Sequence, residues 1–300
     1  MRCLYDRDCG PQGGILTLGT FDGVHQGHLT LIQACRSWAA EWHTHTSVWI
    51  YHPHPRTVLR GERVPLLTTL PERLALLEAA GVEVARVISF SRELATFSAE
   101  AFVEEWIRAL EAPAGVVLGY DHRFGRGREG SAELLRRIGI PVQEVPPVLM
   151  HGQPVSSSCI RQLLQKGAVT EAASLLGYPY TVGGKVVEGR REARRLGTPT
   201  ANLPWPEEKV RLPAGIYVGW AEIETMHFRP VAQGLPALLY IPPVGALEVH
   251  LLTERQDLYD KTLRVSFLRQ LRPHRLFSDE EALRAQVEAD VAEARKYFGL

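Results

Sequence analysis

The chain is poor in cysteine, has no excess of either charge, and contains no long hydrophobic run. Its 4 cysteines among 300 residues (Cys3, Cys9, Cys35 and Cys159) are scattered without close pairing. In a chain of this length they predict reduced thiols rather than a disulfide framework. Pairing or metal binding by Cys3 and Cys9 is the minor alternative. With 34 basic against 34 acidic side chains, the formal net charge is zero. No polyanion-binding surface is announced, and nucleic acid is not an expected partner. No stretch reaches the roughly 18 consecutive apolar residues of a membrane span, and the N-terminus has no apolar run of signal-peptide length. The expectation is a soluble, cytoplasmic protein without a membrane partner. Its length suffices for two domains, each with its own core.

What the chain does have is concentrated first in Ile15-Leu16-Thr17-Leu18-Gly19-Thr20-Phe21-Asp22-Gly23-Val24-His25-Gln26-Gly27-His28. A short apolar run reads as a buried strand, Gly19 and Gly23 open a tight loop, and a helical pattern starts near Gln26. Strand, glycine loop and helix start together make an anion site, because free backbone N–H groups and the positive end of the helix dipole meet there. His25 and His28, three apart, fall on one side of a first helical turn. Imidazoles there suit attack on a nucleotide α-phosphate, where they stabilise growing negative charge. A zinc site or plain surface residues are the alternatives, and no well-spaced Cys or acidic partner supports zinc.

Further strands are expected at Thr46 to Tyr51, Val84 to Phe90, Gly115 to Gly119 and Pro141 to Val145, with helices from Pro71 and Ser98 between them. Phe102, Trp106 and Leu110 recur every four residues and read as core. The order predicts a doubly wound parallel α/β domain. Three loops after strands carry chemistry. His52-Pro53-His54-Pro55 is expected to be extended, because proline opposes helix; its histidines could equally be solvent-exposed. Tyr120 to Gly130 holds Asp121, Arg123, Phe124, Arg126 and Arg128 among glycines, which reads as an oxyanion loop or as a solvated basic one. Ser156-Ser157-Ser158-Cys159-Ile160-Arg161 opens a helix, where hydroxyls cap backbone N–H groups and can equally bind phosphate.

After a helix end and linker near Ala172 to Tyr180, the texture changes to short β-rich runs separated by Gly and Pro. They predict a small antiparallel barrel or sandwich, closed by a helix with a capping box at Ser278 and Glu281. In Gly197-Thr198-Pro199-Thr200-Ala201-Asn202-Leu203, Thr200 and Asn202 are two apart in an extended segment and project to one face. Their neutral oxygens suit Mg²⁺, although a turn or β-edge explains the spacing as well. Glu248 is an acid in an apolar strand. Pointing out to water is the plain reading of such a residue.

These motifs resemble one family. Gly19 to His28 is similar to the extended His-x-Gly-His signature of the nucleotidyltransferases as it occurs in bacterial bifunctional riboflavin kinase/FMN adenylyltransferases (FAD synthetases). Gly119-x-Asp121-x-Arg123-Phe124-Gly125, Ser156 to Arg161, Leu196 to Leu203 and Gly184-Lys185-x-x-x-Gly189 resemble the family's other motifs in order. The resemblance implies a nucleotidyltransferase domain over 1–177 and a riboflavin kinase-like β-barrel domain over 181–300. It implies ATP and Mg²⁺, and FMN and FAD as substrate and product. His25, His28 and Arg161 would serve adenylyl transfer. Gly19, Thr20, Phe21, Asp22, Gly23, Ser156, Ser157, Ser158, Gly184, Lys185 and Gly189 would line nucleotide phosphates. His54, Asp121, Arg123, Phe124 and Arg194 would meet flavin, Thr200 and Asn202 the metal, and Glu248 would act as base on the ribityl hydroxyl of riboflavin. Small molecules (riboflavin, FMN, ATP) are the implied partners, and weak self-association is compatible with it. The sequence departs from the family at His122, where Phe is usual, at Ala193 and Thr198, and around Gln233 to Ala237 and Glu254 to Asp260. Two other readings follow. Residues 181–300 could bind flavin without transferring phosphate, or the first domain could serve another phosphorylated acceptor.

Overall fold

A computed structural model describes residues 1–150, 152–188, 198–223, 233–253, 258 and 261–300. It divides into two compact units, Met1–Val64 with Thr68–Ser156, and Pro65–Leu67 with Ser157–Leu300.

In the first unit, β1 (Arg2–Tyr5), β2 (Ile15–Gly19), β3 (Thr46–His52), β4 (Val84–Ser89), β5 (Gly115–Gly119) and β6 (Val142–Val145) form one sheet. Its order is β1-β4-β3-β2-β5-β6 and every pairing is parallel. The central strands are buried on both sides, as parallel sheets require. On β2, Leu16 and Leu18 enter a cluster with Phe102, Val103, Leu134 and Leu135, whereas Ile15 packs with Cys35 and Ala39. Helix α1 (Gln26–Glu41) therefore covers one face. The other face is covered by the helix of Ala99–Phe102, which continues as a π-turn over Val103–Arg108, and by that of Ala132–Arg137. This is a doubly wound α/β layer. Gly115 allows α1 to come close, since a Cβ there would meet the Trp38 ring at 2.6 Å.

Two local expectations change. Strand β1 has only Leu4 buried and gives no apolar run, so its sequence does not announce an edge strand. Pro55 does not prevent helix but starts one, α2 (Pro55–Arg60). Proline lacks only an N–H that the first helical position leaves unpaired anyway, and His54 caps the turn by accepting from Arg56 N at 3.2 Å.

The second unit begins with helices over Ser157–Gln165 and Val169–Leu176. A six-stranded antiparallel sheet follows. With the Leu149–Met150 and Gln153–Pro154 hairpin of the first unit as β7 and β8, its strands are β9 (Thr181–Lys185), β10 (Ala201–Leu203), β11 (Gly215–Ile223), β12 (Leu235–Ile241), β13 (Leu247–Leu251) and β14 (Thr262–Pro273). The order is β10-β13-β12-β11-β14-β9, and a bridge from Val187 to Asn202 brings the two edges together into a near-barrel. Tyr180, Tyr217 and Phe267 are fully buried within it. Gly219 sits at a register shift on β11, where a Cβ would strike Ser266 O. Outside the barrel, Ile216, Val218 and Leu238 pack against Ala294, Val291 and Phe298 of the C-terminal helix (Glu280–Phe298). Arg272 clamps that helix through both oxygens of Asp290, at 2.9 and 2.6 Å. The helix cap is Asp279, which accepts from Ala282 N at 2.8 Å, rather than the expected Ser278 and Glu281 box. Ser278 instead hydrogen-bonds the Asp279 carboxylate.

Candidate active sites

The first site grows out of the end of β2. The chain order reverses between β2 and β5, so their connections diverge and leave a crevice at the carboxyl ends of the strands, where open α/β sheets take ligands. The loops after β3, β2 and β5, carrying His54, Phe21 to His25, and Asp121 to Phe124, leave adjacent strands at this edge.

The β2–α1 loop is strained. Phe21 and Val24 hold positive φ angles of 49° and 35°, a region that side chains rarely adopt. Burial of both side chains and a set of buried polar groups keep it so. The Asp22 carboxylate, fully buried, accepts from Thr68 N at 3.1 Å and pairs with Arg73 at 3.3 Å. Thr68 Oγ1 accepts from Gly23 N at 3.0 Å, and Arg73 also reaches Thr68 O at 3.1 Å. Asp22, expected at the nucleotide, is thus the inward anchor of the loop. A buried anion already paired with a guanidinium is no partner for phosphate. Thr68 and Arg73 lie beyond any local motif, and only the fold joins them to Asp22.

The two histidines are brought together. His25 precedes α1, and its ring stacks on that of His28 with centroids 3.7 Å apart and planes at 19°. The Phe21 ring lies 5.0 Å from His28. Burial drives the His28 pKa well below 6.5, and the neighbouring His25 and Arg73 lower it further. His28 is therefore a neutral imidazole at physiological pH, able to give or take a hydrogen bond but not to act as a fixed cation. Its Nδ1 is shielded and has no hydrogen-bond partner among the described residues. Gly27 contributes by absence, because a Cβ there would stand 3.2 Å from His25 Cε1.

In the loop after β5, Asp121 and Arg123 are exposed, and Arg123 donates to His122 O at 2.8 Å. The Phe124 side chain is 5% exposed, and its ring lies 6.0 Å from that of Phe102. His122 is pushed down to a pKa of about 4 by burial, with Arg128 and Arg123 adding to the shift and Asp121 opposing it. Ser156 ends the first unit, while Ser157, Ser158 and Arg161 belong to the second with Pro65–Leu67. There Arg161 is buried and donates from Nε to Pro65 O at 2.8 Å.

The second site lies on the near-barrel. β10 and β13 pair so that Asn202 stands directly opposite Glu248. Thr200, two residues before Asn202, donates its hydroxyl to Glu248 Oε2 at 3.1 Å. His250 Nδ1 contacts Pro199 O at 3.0 Å and ties the same segment down. Thr200 and Asn202, two apart, and Glu248, distant from both in sequence, therefore place a hydroxyl, an amide and a carboxylate on one patch of sheet. Gly184 and Lys185 end β9. Gly189 and Arg194 lie outside the described residues.

A parallel α/β layer with a histidine pair at a helix start, joined to an antiparallel near-barrel with an acid beside Thr and Asn, defines a two-domain phosphate-transferring enzyme. The comparisons say which. A family model for FAD synthetase matches residues 9–159, and one for riboflavin kinase matches residues 176–298. The bifunctional riboflavin kinase/FMN adenylyltransferase of Escherichia coli K12 is 31% identical, with 100% of this chain and 98% of that protein aligned. Those of Pseudomonas fluorescens and Bacillus subtilis are 34% and 31% identical, with 95% of this chain and 93% and 92% of those proteins aligned. A solved structure described as a macrolide-efflux protein from Streptococcus pneumoniae superposes with a TM-score of 0.87 at 28% identity, over 98% of this chain and 99% of that one. Among the described residues no helix is long and apolar enough to cross a membrane. The chain belongs to the bifunctional riboflavin kinase/FMN adenylyltransferase family, and its two matched domains make it an enzyme of FAD biosynthesis from riboflavin through FMN.

Proposed function

We propose that residues 1–177 transfer AMP from ATP to FMN and that residues 181–300 phosphorylate riboflavin. The observation that carries the first assignment is the stacked His25–His28 pair at the start of α1, behind a strained and buried loop. In adenylyl transfer an FMN phosphate oxygen attacks the α-phosphorus of ATP, and the bond to pyrophosphate breaks. His25 and His28 hydrogen-bond the oxygens on which charge grows, and the α1 N-terminus adds its dipole. Arg161 and the hydroxyls of Ser156, Ser157 and Ser158 neutralise and hold the triphosphate. Backbone at Gly19 to Gly23 shapes the phosphate loop. His54, Asp121 and Arg123 orient the flavin, and Arg194 does so in the other domain. No covalent enzyme intermediate is required, since positioning and electrostatics supply the acceleration.

In riboflavin phosphorylation Glu248 takes the proton of the ribityl 5′-hydroxyl as that oxygen attacks the γ-phosphorus of ATP, and the bond to the departing ADP breaks. Thr200 and Asn202 fit a Mg²⁺ ion, because a hydroxyl and an amide oxygen beside a carboxylate are the hard donors this ion takes together with phosphate and water. Bound there with ATP, Mg²⁺ would neutralise phosphate charge. Gly184, Lys185 and Gly189 approach the nucleotide. We place the protein in the cytoplasm, where these substrates occur, with weak self-association compatible with this reading.

The test is chromatography of flavin products from the purified protein with ATP and Mg²⁺, given riboflavin or FMN. FAD from both is expected. FAD from FMN alone favours the reading in which residues 181–300 only bind flavin. No flavin product from either overturns the proposal and leaves transfer to another phosphorylated acceptor.

A further inference from the structure

The loop that follows β5, Tyr120 to Gly130, carries more positive charge than it neutralises. Arg123, Arg126 and Arg128 are exposed, and none of them has an ion-pair partner among the described residues. By contrast, Arg136 and Arg137 of the following helix pair with Glu144 and Glu100 at 2.8 and 3.4 Å. The acids of the loop do not pair with its arginines. Glu129 is turned aside to accept from Ala99 N at 3.0 Å, and the Asp121 side chain is exposed.

Two of the three cations are brought together. Arg123 Nη1 donates to His122 O at 2.8 Å and Arg128 Nη2 to Asp121 O at 3.4 Å, so both guanidinium groups turn back onto consecutive carbonyls at the start of the loop. Both act on the His122 ring, adding to the effect of burial, and of the charges that act there only Asp121 opposes them. Arg126 is not among those charges. The loop is held in this shape. Phe124 and Gly130 exchange N–H···O bonds of 3.2 and 2.8 Å, which closes it, and Arg126 N donates to Phe97 O at 2.8 Å. Arg128 itself has a φ of 65°, a left-handed conformation that glycine adopts freely and arginine does not. A position that glycine would fill at less cost keeps an arginine, which points to a use for the side chain.

We propose that Arg123 and Arg128 form the subsite for the phosphomonoester of FMN, the acceptor in adenylyl transfer. This rests on the reading of residues 1–177 as the adenylyltransferase. The loop leaves β5, the neighbour of β2 at the crevice, while the His25–His28 pair at the start of α1 meets the phosphates of ATP from the β2 side. Bringing a phosphate dianion to the α-phosphorus of a second polyanion requires cations on the side of the acceptor as well as on that of the donor. Two converging guanidinium groups without a counter-charge supply them, and such groups take phosphate oxygens bidentately.

The experiment uses the full-length protein and its variants Arg128→Asn, Arg128→Lys and Arg126→Ala. Asparagine tolerates the left-handed backbone at position 128, so the loop keeps its shape while the charge is removed. FAD formation is measured with FMN varied at saturating ATP and with ATP varied at saturating FMN, and inorganic phosphate is added as a competitor. Arg128→Asn is expected to raise the KM for FMN about 10-fold or more and to change the KM for ATP less than about twofold. Inorganic phosphate competes with FMN in the unaltered protein, and about 10-fold less strongly in this variant. Lysine, a point charge without the fork, gives an intermediate KM for FMN, and Arg126→Ala changes it less than about threefold. FMN formation from riboflavin and the thermal midpoint stay near those of the unaltered protein. A KM for ATP that rises alone, or as much as that for FMN, would overturn the assignment by giving the loop to the phosphates of the donor. An unmoved KM for FMN would overturn it by leaving a solvated basic loop. If the unaltered protein forms no FAD from FMN, the adenylyltransferase reading fails and the subsite with it, and that outcome is visible before any variant is compared.

Discussion

Asp22 illustrates how a residue that looks like a ligand can be the support of one. Its carboxylate is fully buried and holds Thr68 and Arg73, partners 46 and 51 positions away in sequence. Replacing it by Asn leaves a guanidinium buried without its counter-charge, which costs on the order of 3 kcal/mol. Asp22→Asn is therefore expected to lower the denaturation midpoint by several degrees and to slow FAD formation from FMN together with it. Unchanged stability would contradict the anchoring role. His122 makes a second case at this scale. Its pKa of about 4 in the folded chain lies below the ordinary 6.5, so the unfolded chain binds more protons between those values. Stability contributed by the neutral imidazole is complete above about pH 6.5 and is lost as pH falls toward 4. His122→Phe removes that titration. Thermal midpoints of the two proteins should converge at neutral pH and separate at pH 4.5 in favour of the variant. Parallel curves would show that His122 is not buried in solution.

At the scale of elements, much of the architecture can be read from runs and punctuation. The strands β2 to β5 are apolar enough on both faces to announce a parallel sheet, and the spacing of Gly and Pro after Thr181 announces an antiparallel one. What escapes is whatever tertiary contact decides. β1 is an edge strand with one buried side chain, and Pro55 starts a helix because His54 can cap it. The same limit applies at the sites. The His-x-Gly-His spacing is visible, whereas Thr68 and Arg73 reach Asp22 only through the fold. Gly27 lies between these cases. In a helix, alanine in place of glycine adds up to about 1 kcal/mol of stability. Here a Cβ would press on His25 at 3.2 Å, tighter than ordinary contact, and displace the ring from His28. Gly27→Ala is thus expected to keep or raise the melting temperature while reducing FAD formation about 10-fold or more. A variant with both properties intact would mean that the ring can yield without loss.

At the scale of the whole molecule, the two sites share a metabolite but no residue. His25 and His28 stand on the parallel unit, and Thr200, Asn202 and Glu248 stand on the antiparallel one. Each set is held by its own core, and nothing in the chemistry of one step requires the groups of the other. FMN leaves the kinase as product and enters the adenylyltransferase as substrate, so separate sites predict separable losses. On the proposed reading, His28→Ala removes a neutral hydrogen-bonding ring from the α-phosphate site and should lower FAD formation from FMN by about 100-fold or more, while FMN formation from riboflavin continues and FMN accumulates. On the proposed reading, Glu248→Ala removes the base and should lower FMN formation by about 100-fold or more, while FMN supplied from outside is still converted to FAD. Chromatography of both variants with each substrate reads all four rates. The crossed pattern follows only if the two chemistries are independent. If either variant loses both activities while its melting temperature is unchanged, the sites are coupled, and the assignment of the two steps to independent sites fails.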